Sequence, residues 1–158
     1  MNEINESTGS TESIKSTESK LARFLNFYNA LSHDGLNQLA EIYTQDVTFI
    51  DPVHQIDGRK QLTDYFSHAY QRLTYCQFDP ISQTDGDQLS FISWIMTLSH
   101  PAIGKGKPIK VHGCTELRWR EQHICYHRDY YDLTELVYQH LPVLGWATSL
   151  VKHKMAKA

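Results

Sequence analysis

The spacing of apolar residues changes twice along the chain. Residues 1–19 hold only Met1, Ile4 and Ile14 among many Ser, Thr, Asn and Glu. So few apolar groups cannot offset the entropy of ordering, and the segment is predicted to be disordered, with a functional tail as the alternative. Residues 20–158 are predicted to form one domain with a C-terminal helix. Leu21, Phe24, Leu25, Tyr28 and Leu31 recur at helical spacing, and His33-Asp34-Gly35 breaks the run. Leu36, Leu39, Ala40 and Tyr43 predict a short second helix. Val47-Thr48-Phe49-Ile50-Asp51 alternates as a strand and stops at Pro52, which has no ladder donor. After Gly58, Leu62, Tyr65, Phe66 and Ala69 share one face of a third helix.

From residue 75 the period becomes two. Strands are predicted over 75–81, 89–100, 109–119 and 124–133. They are separated by a turn signal at Thr84-Asp85-Gly86-Asp87, a Gly- and Lys-bearing loop over 101–108 and a turn over 120–123. Residues 134–155 read as helical, broken near Pro142 and Gly145. Three helices around one early strand, followed by four long strands in a meander, predict an α+β fold. Its sheet is expected to be curved, covered by helices on one face, and closed into a cone whose mouth is a cavity for a small molecule.

Composition narrows the function. The 158 residues, 41% hydrophobic and 11% aromatic, allow a sizeable core. A net charge of −3 offers no basic stripe, so nucleic acid is not an expected partner. Cys76, Cys114 and Cys125 are odd in number and form no CxxC pair, which fits a reducing compartment. The N-terminal stretch has no apolar core for a signal peptide, and no run approaches the roughly 18 apolar residues of a membrane span. The expected location is the cytoplasm. His112, His123 and His127 invite a metal reading, with His54 beside the Asp51 turn. His123 and His127 stand four apart, a spacing that converges on a helix and not on a strand. No metal and no cofactor is therefore expected.

Two stretches carry a family likeness. Phe27-Tyr28-Asn29-Ala30-Leu31 precedes Asp46-Val47-Thr48-Phe49-Ile50-Asp51-Pro52-Val53, and His127-Arg128-Asp129-Tyr130-Tyr131-Asp132 lies in the last strand. With the order of elements, residues 21–133 resemble the nuclear transport factor 2-like superfamily, and within it the SnoaL-like group. That superfamily includes polyketide cyclases, ketosteroid isomerase and limonene-epoxide hydrolase, beside members that only bind or scaffold. The resemblance implies a cystatin-like fold: a cone-shaped, mixed but mostly antiparallel sheet wrapped around helices. It also implies a homodimer through the outer sheet face, where Arg118, Tyr126 and Tyr130 are placed.

By this resemblance, Asp51 matches the general base of the isomerase, which lies in a similar Asp-Pro-Val segment. A carboxylate on a pocket wall can do this work when apolar neighbours raise its pKa. The alternative is a strand-end cap that turns the chain with Pro52. The isomerase's two oxyanion donors fall at Phe27 and Thr115. A phenyl ring cannot donate and Thr donates weakly; each lost donor costs about 3–4 kcal/mol of transition-state stabilisation. Tyr28 adjoins Phe27 but lies about 100° around the helix. Steroid isomerisation is not expected. Asp129 matches the first Asp of the epoxide hydrolase's Asp-Arg-Asp triad and parallels the acidic residue of the cyclases. Ser93-Trp94-Ile95-Met96-Thr97 holds neither the Arg nor the Asp that would complete that triad.

Strand parity places Cys125, His127, Asp129 and Tyr131 on one face, and Ile124, Tyr126, Arg128 and Tyr130 on the other. A turn closing through Arg120 to Ile124 sets Thr115 opposite Asp129, with Gly113 and Leu117 on the same face. A one-residue slip would bring His112, Cys114 and Glu116 there. The first register is preferred, since the resemblance puts Thr115 in the pocket. Asp51 and Asp129 are then the expected catalytic pair. Phe27, Tyr28, Phe49, Tyr65 and Trp94 are expected walls, together with Met96, Thr115, His127 and Tyr131. An ion pair of Asp129 with Arg128 or a helix lysine is the alternative. Near the C-terminus, Leu144, Ala147, Leu150 and Val151 share a helix face beside Trp146, followed by Lys152, His153, Lys154 and Lys157. Packing on the domain or a dimer mate is preferred to a membrane surface.

Two functions follow. One is a cofactor-independent acid/base isomerase, cyclase or hydratase-like catalyst acting on a hydrophobic carbonyl or polyene. The other is a non-catalytic module that binds an apolar ligand or assists a partner enzyme. Both carboxylates in one cavity favours the first; a cavity filled by aromatic side chains favours the second.

Overall fold

Ser19 opens the first helix, α1 (Lys20–Ala30), by accepting the Ala22 N–H at 3.1 Å, one of the donors a helix start leaves free. The computed structural model describes residues 18–31, 33–71 and 73–157, so residues 1–17 of the segment predicted to be disordered lie outside it. A 3-10 segment (His33–Gln38) and one helical turn, α2 (Leu39–Ile42), follow α1. Tyr43, predicted to be helical, instead begins strand β1 (Tyr43–Ile50). The chain turns at Asp51 and pairs back antiparallel as β2 (Gln55–Asp57), a strand too short to show a period in sequence. Gly58, at φ 91°, donates its N–H to the Val47 carbonyl at 2.7 Å and starts α3 (Arg59–Tyr70).

The meander is β3 (Tyr75–Asp85), β4 (Leu89–Ser99), β5 (Ile109–Arg120) and β6 (His123–Tyr131). β3 runs on through Asp85, so its turn falls later than the Thr84-Asp85-Gly86-Asp87 signal suggested. The six strands lie in the order β2-β1-β6-β5-β4-β3. β1 pairs parallel with β6; every other pair is antiparallel. The sheet is curved and unclosed, and its concave face holds the core. There, Leu21 and Tyr28 of α1 and Leu62 and Phe66 of α3 pack against the strands. A smaller cluster of Leu98, Ile109 and Val111 lies farther along, near Leu136.

The β5–β6 hairpin sets the site. Arg120 pairs with His123 across a two-residue turn in which Glu121 takes φ 57°. Trp119 pairs with Ile124 but Arg118 with Tyr126, so Cys125 is an extra, bulged residue. Thr115 then lies opposite Asp129. The expected register is reached by a tight turn plus a bulge, in place of a longer turn. The bulge also resets parity, so Ile124, expected on the outer face, is fully buried in the core.

Asp132 caps α4 (Leu133–Leu136) by accepting the Thr134 N–H at 2.6 Å. A 3-10 turn (Tyr138–His140) leads to α5 (Pro142–Met155). The predicted break precedes Pro142, which occupies the first turn of α5, and Gly145 lies within that helix. No residue of α5 is buried, and Val143, Trp146 and Met155 are each at least 70% exposed. This helix packs on its own domain mainly through the Tyr138–His140 turn, with a 3.9 Å Lys152–Asp132 pair beside it. No helix of the described residues is long and apolar enough to cross a membrane.

Candidate functional site

A cavity of about 240 Å³ opens between α3 and the concave face of the sheet. α3 supplies Tyr65, Phe66 and Tyr70, β4 supplies Trp94, Met96 and Leu98, and α4 closes one side with Leu136. Asp51, just past the end of β1, and Asp129 of β6 both reach it. Their meeting follows from the parallel pairing: Phe49 lies beside His127 and Ile50 beside Arg128. The next residues, Asp51 and Asp129, leave adjacent strands at the same level and on the same face.

Eight of the expected residues line this cavity: Tyr28, Phe49, Asp51, Tyr65, Trp94, Met96, Asp129 and Tyr131. Three do not. Phe27 turns away and borders a surface groove with Ala30 and Ile42, because Tyr28, a helical step on, takes the inward direction. Thr115 and His127 are buried behind Asp129, holding it without facing the cavity. Sequence reasoning missed Phe66, Tyr70, Phe78, Leu98 and His100 among the walls. Period-two spacing from Trp94 through Met96 would have reached Leu98 and His100. Tyr70 lies four residues past Phe66 on the same face of α3.

Asp51 is 8% exposed and is held mainly by its own turn. Oδ1 accepts the backbone N–H groups of Val53 at 2.7 Å and His54 at 2.6 Å. The His54 ring, 47% exposed, stands 3.2 Å from the same oxygen. Oδ2 accepts the Tyr65 hydroxyl at 2.7 Å. The strand-end cap is therefore present, and the same carboxylate also faces the cavity.

Asp129 is held by side chains from several strands. Its Oδ1 accepts the Thr115 hydroxyl at 2.5 Å and lies 2.9 Å from Nε2 of His127. Thr115 in turn accepts the indole N–H of Trp94 at 2.8 Å. That indole lies across Gly113, where a Cβ would come within 2.1 Å of the ring, so only glycine admits this arrangement. Behind His127, Nδ1 is 2.7 Å from the Tyr43 hydroxyl, which is 2.6 Å from that of Tyr28. A carboxylate only accepts, so Nε2 of His127 carries the ring proton. In the neutral ring Nδ1 accepts from Tyr43, and Tyr43 from Tyr28. Among the described residues Oδ2 of Asp129 has no hydrogen-bond partner, which leaves it free toward the cavity.

The phenols stay protonated. Burial, reinforced by Tyr43 and Asp129, pushes Tyr28 well above the ordinary tyrosine range, and burial does the same for Tyr43. Tyr65 is raised by burial and then by its bond to Asp51. Tyr131 is raised by burial and then by the charges of Asp51 and Asp129, so it stands in the field of both carboxylates. The Tyr131 hydroxyl makes no hydrogen bond to another described residue and is available as a donor. Burial also pushes the Cys76 thiol, on the cavity wall, up to about 11. Among the described residues no group of three or more His, Cys, Asp or Glu is arranged to hold a metal ion.

Residues 24–127 match the SnoaL-like domain family. The chain belongs to that family. Solved structures share its fold. A hypothetical protein with a ketosteroid isomerase-like fold from Catenulispora acidiphila, in complex with trimethylamine, is 17% identical. It covers 79% of this chain and 93% of its own at a TM-score of 0.65. A candidate SnoaL-like polyketide cyclase from Shewanella putrefaciens is 17% identical over 74% of this chain and 82% of its own, at 0.64. TerC, co-crystallised with polyporic acid, is 10% identical over 74% of this chain and 94% of its own, at 0.62. No curated protein matches the sequence. At these identities the structural likeness establishes the SnoaL-like fold, and the chemistry must be argued from the site.

Proposed function

We propose that this SnoaL-like protein is a cofactor-independent acid/base catalyst, an isomerase or cyclase acting on a small hydrophobic carbonyl or polyene. The observation that carries the proposal is the Asp129 carboxylate. One oxygen is locked by Thr115 and His127, and the other is free at an apolar cavity that Asp51 also enters. A base fixed in this way can take a proton from carbon and return it elsewhere without reorganising. Tyr131, protonated and without a described partner, is placed to donate to the oxygen on which charge develops. It would take the donor role that Phe27 cannot fill. Asp51, already committed to its turn and to Tyr65, supports the charge pattern and is the second site for a proton. The small molecules held by two structural neighbours are consistent with a ligand cavity. A homodimer through the outer sheet face, which the family resemblance implies, accompanies this reading; on that face Arg118 stacks on Tyr126 and Arg128 on Tyr130. The free thiols suit a cytoplasmic location.

The test is deuterium incorporation from solvent into a panel of cyclic unsaturated ketones, followed by NMR. Wild-type protein should accelerate exchange next to the carbonyl, and Asp129→Asn should slow it by roughly 10²–10⁴-fold. Equal rates for the two proteins would remove the catalytic assignment. The competing reading, a binding module, draws on Asp51: three contacts at its own turn and one from Tyr65 of α3 already account for its presence.

A further inference from the structure

The cavity is unbalanced in charge. Two carboxylates enter it, and among the described residues no lysine or arginine lines it. The cations nearest in sequence are engaged elsewhere: Arg128, beside Asp129, stacks on the Tyr130 ring at 4.8 Å. Arg59 donates to the Tyr43 carbonyl at 3.0 Å, Arg118 pairs with Glu116 at 2.8 Å and Arg120 with Asp46 at 2.9 Å. Each cavity carboxylate is met by groups that donate to it: backbone N–H groups and the Tyr65 hydroxyl at Asp51, the Thr115 hydroxyl and His127 at Asp129. Hydrogen bonds donated to a carboxyl group favour its ionised form. The remaining walls are largely aromatic, with Phe49, Phe66, Phe78 and Trp94 among them. Aromatic faces carry negative potential and attract cations, most strongly where water is excluded. The volume falls below the roughly 300–1,000 Å³ of drug-sized sites, so the ligand must be small.

We propose that this cavity selects small hydrophobic molecules bearing a positive charge, as a protonated or quaternary amine, and rejects carboxylates and phosphate esters of the same size. The inference rests on reading the cavity as the ligand site and adds the sign of the ligand's charge. A cation between Asp51 and Asp129 neutralises two anions that apolar walls leave unscreened. An anion in the same place would meet both repulsions with no lysine or arginine to offset them, only donors such as the neutral Tyr131 hydroxyl and the His100 ring.

The test uses three probes of nearly one shape: phenylethylammonium, phenylethanol and phenylacetate. Each is titrated into the full chain by calorimetry at neutral pH. The ammonium should bind about tenfold or more tighter than the alcohol, a difference of about 1.4 kcal/mol, and phenylacetate should be the weakest. Asp129→Asn and Asp51→Asn should each shrink the advantage of the ammonium over the alcohol. The wild-type ranking stands even if a variant folds poorly. Equal binding of ammonium and alcohol, or tighter binding of phenylacetate, overturns the charge inference. If deuterium exchange still depends on Asp129 in that case, the catalytic reading survives. Failure of all three probes to bind overturns the ligand-cavity reading and this inference with it.

Discussion

The carboxylate of Asp51 is gripped by the turn that follows it, through the N–H groups two and three residues on. That of Asp129 is gripped by side chains from β5 and β6, themselves braced by Trp94 of β4 and Tyr43 of β1. Each aspartate also has a histidine beside it. His54 is 47% exposed, whereas His127 is 1% exposed. Two acids at one cavity thus differ in what positions them. One is held by local backbone and survives changes elsewhere. The other is held by a buried chain of polar groups, each needing its neighbours.

Alkali strikes both neighbourhoods and should have the largest effect. Tyr28, Tyr43, Tyr65, Tyr70 and Tyr131 all have folded pKa values raised above the unfolded value. Their contribution is complete below the unfolded pKa, near pH 10, and is lost as pH rises toward the folded values. Stability should fall by about 1.4 kcal/mol per pH unit for each such phenol. Absorbance at 295 nm should show these five of the nine tyrosines ionising only with cooperative unfolding. Gradual ionisation in the folded protein would contradict the buried network.

The two histidines give the sharpest contrast. His127→Ala leaves Tyr43 and Asp129 without their shared partner and should cost about 3–5 kcal/mol in urea denaturation. His54→Ala should stay within about 0.5 kcal/mol. Similar costs would erase the distinction between the two acids. Gly113→Ala forces the Trp94 indole off its strand and away from Thr115, at about 1–3 kcal/mol. The near-ultraviolet circular dichroism of Trp94 should change with it. Asp51→Ala should cost the least of the buried substitutions, about 1–2 kcal/mol, and should speed amide exchange at Val53 and His54 while β6 keeps its protection.

The same contrast explains how much of the site was legible in the sequence. Asp-Pro-Val-His is a local signal, and both readings of Asp51, cap and pocket wall, could be stated from it. Alternation along two strands left two registers open, and the family resemblance selected the one that pairs Thr115 with Asp129. Its true cause, a bulge at Cys125, left no mark in the pattern, and Ile124 was placed on the wrong face. His127 and Thr115 were recognised as belonging with Asp129, but not as standing behind it, because depth within a curved sheet is not encoded in period. Tyr43 looked like the end of a helix, since its partner lies far along the chain. β2 was missed because three residues carry no period.

The parallel contact between β1 and β6 has a consequence for how the protein is made. The meander from β3 to β6 can zip through successive hairpins, each closing a short loop. β1 must wait until β6 exists, then return across α3 and the whole meander, at a higher cost in loop entropy. A nascent chain would therefore carry Asp51 and Asp129 as strangers until nearly all of β6 had left the ribosome. Any activity of the cavity should then appear abruptly, in the last stage of synthesis or refolding.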